Sequence, residues 1–390
     1  MIRQKIGWFI KKYLKYIVLI LCLLVTGILE LVHGSYVSEL SSQELVKRWN
    51  NGRGFAQISC FFPEGEGLSR DAIAGVERNL SQAMQEASID TSGADGRTLV
   101  DAYSAEADLY VSNQKIGSDV RAFGVSKDYF LFHPMELLDG SYFQQEDEAQ
   151  DGVILDENVA WKLFGSNHVA GMTVDIGSIS YRIRGVVRAD EGHYSEAAGE
   201  ETPSIYVDFQ ILERMMSGDD SNVSGGDSDT AAVRTASSYT ADCYEILIQN
   251  PVSDFGTTAL SKILEDSGVT GYEMVENSTR FGLAARWTRL RNFGARSMNA
   301  KGIIYPYWEN RARAYEDVST LLLVVELLLL CYPAFMLARG IYLLWKKRKE
   351  IGTFCRKKVT WFFGDFLVPK IKKLYKDVYI SRKSSKNKVE

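Results

Sequence analysis

Two long apolar runs, Tyr16 to Val32 and Val318 to Trp345, constrain this 390-residue chain more than any other feature. Each is long enough to cross a bilayer as a helix, which takes about 20 mostly apolar residues. Residues 35–317 between them have the mixed composition of a water-soluble domain. The predicted layout is a basic N-terminus over 1–15, a transmembrane helix over 16–34, an extracytoplasmic domain over 35–317, a second transmembrane helix over 318–345 and a basic tail over 346–390.

Charge sets the sidedness. Residues 1–34 hold 5 basic and 1 acidic side chains, residues 35–317 hold 24 and 44, and residues 318–390 hold 16 and 5. Lys and Arg flanking a span favour the cytoplasm. The chain is therefore expected to be a two-pass plasma-membrane protein with both termini cytoplasmic and the acidic middle outside. A secretory signal peptide is the weaker reading of the first run: the stretch is long, and Glu30-Leu31-Val32-His33-Gly34 lacks a small-x-small cleavage pattern. An uncleaved anchor fits better.

The pattern between the spans alternates strands and helices. Residues 35–54 have a helical rhythm and extend the first span outward. Phe55 to Phe62 reads as a strand. Leu68 to Ala87 reads as an amphipathic helix with Ile73, Val76, Leu80 and Met84 inward and Ser69 as its cap. A further strand is expected near Leu109 to Val111. Val153 to Leu155 is a short strand, after which Asp156 can cap a helix running to Phe164 and Gly165 can end it. Met172 to Ile176 and Ile179 to Val187 form a hairpin around Gly177-Ser178. Ser204 to Phe209 and Tyr244 to Gln249 are strands, and Phe255 to Asp266 is a helix. Residues 216–238, rich in Ser, Gly and Asp, are expected to be a flexible surface loop. The fold class is α+β.

Little in the sequence points to catalysis. There is no Walker phosphate loop, no His-Glu-x-x-His and no Gly-x-Ser-x-Gly elbow, so the expectation is a non-enzymatic protein without cofactor or metal. His33, His133, His168 and His193 are scattered and read as surface or loop residues. Of the five cysteines, Cys60 and Cys243 fall outside the membrane in predicted strands; two buried free thiols are the favoured reading, and a bridge between them is the alternative. Arg280 to Arg313 mixes basic and aromatic residues just before the second span. Two readings stay open for it: contact with lipid headgroups, or a stalk whose charges pair with the acidic domain. Nucleic-acid binding does not suit an external, acidic domain. Glu326 lies inside the second apolar run, where an ionisable group is costly and faces a protein partner or a wet cavity. Pro333 should kink that helix.

From Phe123 to Val187 the chain resembles the extracytoplasmic core domain of MacB-type and FtsX-like ABC permeases. The resemblance is carried by Val125-Ser126-Lys127-Asp128-Tyr129-Phe130 and by Leu137-Leu138-Asp139-Gly140-Ser141-Tyr142-Phe143, where Ser141 stands at a position commonly Arg. Glu146-Asp147 follows, then Val153-Ile154-Leu155-Asp156-Glu157, Leu163-Phe164-Gly165, Val169-Ala170-Gly171 and the closing Arg184-Gly185-Val186-Val187. Arg348-Lys349-Glu350-Ile351-Gly352 resembles the basic-Glu-Ile-Gly motif with which such permeases contact their ATPase; the alternative is a positive stop after the span. Family permeases continue into two more spans. Here Val359 to Ile380 carries four lysines among apolar residues at helical spacing, which reads as an amphipathic helix on the inner membrane surface.

The resemblance implies a non-catalytic membrane subunit that couples a separate ABC ATPase to motion of its extracytoplasmic domain. Its partners would be that ATPase, a partner permease or a second copy of the chain, and membrane lipids. Arg348 to Gly352 would carry ATPase coupling and Glu326 an intramembrane partner contact. The alternative is a membrane-anchored sensor or scaffold that has lost transport.

Overall fold

The computed structural model describes residues 2–50, 54–89, 99–143, 152–189, 194–198, 202–217, 239–293, 302–348, 353, 358–359 and 361–374. They form two compact units, one spanning Glu30–Val324 and one made of Met1–Leu29 with Val325–Glu390. The 218–238 part of the expected loop lies outside the described residues.

The larger unit is built on one mixed sheet. Its strands are β1 (Phe55–Phe61), β2 (Leu99–Ser112), β3 (Gly117–Val125), β4 (Leu137–Gly140), β5 (Gly152–Asp156), β6 (Thr173–Ile176), β7 (Ile179–Val187), β8 (Ser204–Asp208), β9 (Cys243–Gln249) and β10 (Glu273–Glu276). They run in the order β10-β1-β9-β2-β3-β8-β5-β7-β4, and β6 pairs with both β2 and β7. The pairs β3–β8 and β5–β7 are parallel; the others are antiparallel. The helices are α1 (Ile2–Ser38), α2 (Leu45–Asn50), α3 (Arg70–Glu86), α4 (Tyr129–Phe132), α5 (Glu157–Phe164), α6 (Ser195–Ala198), α7 (Phe209–Met216), α8 (Phe255–Asp266), α9 (Leu283–Arg291) and α10 (Tyr307–Lys346).

Local signals place most of these elements. Ser69 caps α3 by accepting from the Ala72 amide, and Asp156 caps α5 by accepting from Val159. Gly165 ends α5 in the left-handed conformation, at φ +69°, which glycine adopts without strain. The β6–β7 hairpin pairs Val174 with Tyr181 and Ile176 with Ile179, the expected register. Gly140 is required for a different reason: a Cβ there would lie 2.0 Å from the Arg184 carbonyl oxygen, where β4 crosses onto β7. The sheet departs from expectation at β2, which runs for 14 residues instead of the few around Leu109. It pairs with β9, β3 and β6 along its length, and that shared edge sustains the extension.

The strands alternate, so the sheet has two distinct faces. One is covered by the apolar stripes of α3, α5, α7 and α8 over Ile58, Ala105, Ala122, Leu155, Ile205 and Ile246. The other carries Phe61, Phe123, Tyr206 and Cys243 under Tyr129, Tyr307 and Trp308. Because Phe61 pairs with Cys243 in the β1–β9 ladder, Cys60 points to the opposite face from Cys243. The two thiols are buried and free, and burial pushes both well above their ordinary pKa.

Two histidines depart from the sequence reading. His33 and His133 are buried, not surface residues. The His133 ring lies 4.4 Å from both the Tyr129 and Trp308 rings, between centroids, and it bonds the Glu245 carboxylate. His168 is exposed as expected, and His193 lies outside the described residues.

In the smaller unit, α1 and α10 each hold a stretch long and apolar enough to cross a membrane. α10 runs on through Pro333 as one helix. Tyr332 donates to the Lys15 carbonyl at 3.1 Å. In the tail, residues 361–374 are helical, opening with a π-helical segment at Trp361–Leu367. The rest of the expected amphipathic helix lies outside the described residues.

Candidate functional site

α10 starts at Tyr307, well before the apolar run, and its first turns are embedded in the aromatic face of the sheet. Trp308 packs on Phe123, Tyr129 and His133 with centroids 4.4–6.0 Å apart. Tyr307 meets Phe123 edge-on at 5.8 Å. Such ring pairs stabilise beyond their buried area and fix orientation.

Beside these rings runs a continuous chain of buried polar groups. It starts on the sheet, where Glu245 accepts from the Ser59 hydroxyl at 2.7 Å and Ser59 in turn accepts from the Asn277 amide at 2.8 Å. The Asn277 carbonyl oxygen accepts from Arg280 at 3.2 Å. Arg280 then grips α10. Its two terminal nitrogens donate to both oxygens of Glu309 at 2.6 and 2.8 Å, and its Nε donates to Glu316 at 2.6 Å. The Arg280 side chain is 2% exposed and that of Glu309 0%. Arg289 reaches Glu316 at 2.8 Å, and Arg313 joins Glu309 at 2.7 Å to Glu273 at 2.6 Å. Burial alone would lower the Arg280 pKa, but the Glu309 and Glu316 carboxylates outweigh it and raise it. Paired and hydrogen-bonded this completely, the charges are tolerated in the interior.

The outward end of α1 enters the same network. Arg286 donates to Glu30 at 3.0 Å and to the Ser319 carbonyl at 3.3 Å. Arg311 donates to the Glu39 carbonyl at 3.2 Å, Tyr315 donates to the Glu39 carboxylate at 2.6 Å, and the Tyr36 and Tyr315 rings lie 5.6 Å apart. Behind α1, Gln57 of β1 accepts from the Leu45 amide and donates to the Ser42 carbonyl at 2.6 Å. Both membrane-directed helices are therefore bolted to the sheet by directional bonds.

This geometry settles the role of five arginines in the Arg280–Arg313 segment. Arg280, Arg286, Arg289, Arg311 and Arg313 pair with acidic or carbonyl groups of the domain itself, so the lipid-headgroup reading is wrong for these five. Arg296 and Lys301 lie outside the described residues. The sequence reading missed the acidic half of the network. Its signal was present as Glu309, Arg313, Glu316 and Asp317 at helical spacing ahead of the apolar run.

The residues singled out for coupling fall elsewhere. Arg348 is exposed at the end of the second apolar stretch, with its guanidinium 4.8 Å from the Trp345 ring. Lys349, Glu350, Ile351 and Gly352 lie outside the described residues. Glu326 is 3% exposed, already buried within this chain. Among the described residues no group of three or more His, Cys, Asp or Glu could hold a metal.

Residues 22–243 match the model of one protein family, the MacB-like periplasmic core domain. The chain belongs to that family. As a MacB-like chain it is a permease-type component of an ABC transporter, a membrane protein with an extracytoplasmic α+β domain. No curated protein matches it. Two solved structures are similar to the MacB-like domain. One is the periplasmic region of MacB from Actinobacillus actinomycetemcomitans, with 13% identity and a TM-score of 0.40, covering 64% of this chain and 97% of that one. The other is the extracellular domain of the noncanonic ABC-type transporter YknZ from Gram-positive bacteria, with 16% identity and a TM-score of 0.37, covering 56% and 99%. The family match stops at the start of β9, so Arg280, Glu309 and Glu316 lie beyond it.

Proposed function

We propose that this chain is a non-catalytic membrane subunit of a MacB/FtsX-like ABC system, which couples a separate cytoplasmic ATPase to motion of the extracytoplasmic domain. The observation that carries this reading is the buried Arg280–Glu309–Glu316 network at the root of α10. A loose tether would need no such joint. A helix meant to transmit displacement needs bonds that fix its angle against the sheet, and a buried bidentate guanidinium–carboxylate pair is directional in that way. Arg348 to Gly352 is the proposed ATPase contact, and a partner permease or a second copy supplies further spans. Glu326 is the weaker candidate for a partner contact, because this chain already buries it.

The test is to isolate the full chain from its native membrane, identify the ATPase that accompanies it, and measure the ATP hydrolysis rate of the complex. Arg348→Ala with Glu350→Ala is expected to weaken association and lower the rate. Unchanged association and rate would remove the coupling role from this segment. Isolation without any ATPase would favour the sensor or scaffold reading instead.

A further inference from the structure

α9 is inside out for a helix bathed in water. Its charged Arg286 and Arg289 point inward, into the network, while Leu283 is 67% and Trp287 47% exposed. A solvated helix shows the reverse pattern, apolar inward and charged outward. The place of α9 explains the inversion. The bonds from Arg286 to Glu30 and to the Ser319 carbonyl hold it beside α1 and α10 at the point where their apolar stretches begin. Next to those two residues, Leu31 and Leu321 are 75% and 58% exposed, as lipid-facing residues of membrane helices are. Trp287 is the residue type that settles at the headgroup level, with an apolar ring and one N–H donor. Arg291, exposed in the last turn, suits anionic phosphate groups, and Phe293 follows it, also exposed.

We infer that α9 is an interfacial helix that rests on the outer leaflet of the membrane, with Leu283 and Trp287 inserted among the lipid headgroups. The bilayer is favoured over a protein partner because Arg286 bonds both membrane-directed helices at the outer ends of their apolar runs. α9 would then set the height of the domain above the bilayer while Arg286 ties that height to α1 and α10.

The experiment uses the full chain in nanodiscs of phosphatidylcholine and phosphatidylglycerol. Nitroxide labels are placed at Leu283→Cys, Trp287→Cys and, as a solvent-exposed reference, Val252→Cys, with the native cysteines replaced. For a helix buried in the headgroup boundary, the ratio of oxygen to nickel-chelate collisions should be higher at 283 and 287 than at 252. Equal ratios at the three positions overturn the inference, since no protein partner is present to shield the face. A second measurement keeps the native cysteines. In a variant that keeps Trp287 as its single tryptophan, brominated lipids should quench the emission, and emission unchanged by bromination overturns the inference.

Discussion

The two faces of the central sheet are closed by opposite means. On one, Leu80, Leu163, Leu212 and Leu264 from four helices press on aliphatic strand residues. On the other, aromatic rings and a chain of hydrogen bonds from Ser59 to Glu316 meet the root of α10. Apolar packing is strong and non-directional, and it tolerates volume-conserving exchange. A buried ion pair contributes little net stability, yet removing one partner is expensive. The first face is held by aliphatic burial. The second adds directional bonds to its aromatic packing, and these seat the first turns of α10 on the sheet.

The largest expected effect comes from breaking the second face. Arg280→Ala leaves Glu309 and Glu316 buried with only Arg313 and Arg289 to pair them, and should cost about 3–5 kcal/mol in urea unfolding of the full chain. Leu80→Ala on the first face should cost a comparable amount, about 2–5 kcal/mol. The comparison sharpens with a second readout. At a temperature where both variants stay folded, Arg280→Ala should lose the response of the accompanying ATPase and Leu80→Ala should keep it. Loss in both would mean that the joint is no more than another piece of core.

The two faces also differ in how legible they were in the sequence. The apolar face was readable because its signals are local: the stripe Ile73, Val76, Leu80 and Met84, the Ser69 and Asp156 caps, and the Gly165 stop each depend on residues a few positions apart. The polar face was not. Arg280 finds Glu309 and Glu316 about 30 residues on, and Glu245 meets His133 across more than a hundred. Charge spacing alone cannot distinguish a buried network from a solvated stalk, because the difference lies in burial, which is set by the tertiary fold. The length of β2 was hidden for a similar reason. Its polar members Asp101, Glu106 and Asp108 break the strand pattern and are held in the sheet by three neighbouring strands.

A smaller effect tests the rim of the polar face. Glu106 lines a cleft of about 430 Å³ with Phe62, Asp242 and Ile304. Burial raises its pKa to about 7, opposed by Arg121 and reinforced by Asp242 and Asp108. A carboxyl raised in this way favours the folded state while protonated. That contribution is fully present below the ordinary value of 4.5 and is lost as pH climbs through 7. The side chain is 27% exposed, which trims the effect to about 1–2 kcal/mol between pH 5 and pH 8. Urea midpoints for the native chain should fall over that interval, and Glu106→Gln should flatten the fall. An unchanged slope in the variant would assign the pH dependence to another group, with Asp101, raised to about 8 by burial and Glu77, next in line.

The smallest effect isolates burial from chemistry. Arg188 and Glu136 form the same kind of guanidinium–carboxylate contact as Arg280 and Glu309, at 2.5 Å, but their side chains are 49% and 60% exposed. Water screens the attraction and already solvates both ions, so Arg188→Ala should cost less than about 1 kcal/mol. Both pairs join a guanidinium to a carboxylate, but Arg280 grips Glu309 with two bonds and Glu316 with a third in the interior, whereas Arg188 makes one bond to Glu136 in water. If Arg188→Ala proved as costly as Arg280→Ala, the contact itself would be the source of the energy, and burial would no longer distinguish the root of α10 from any other ion pair on the domain. A cost several times smaller fits the screening of the exposed pair and the burial and fuller bonding of the pair at α10.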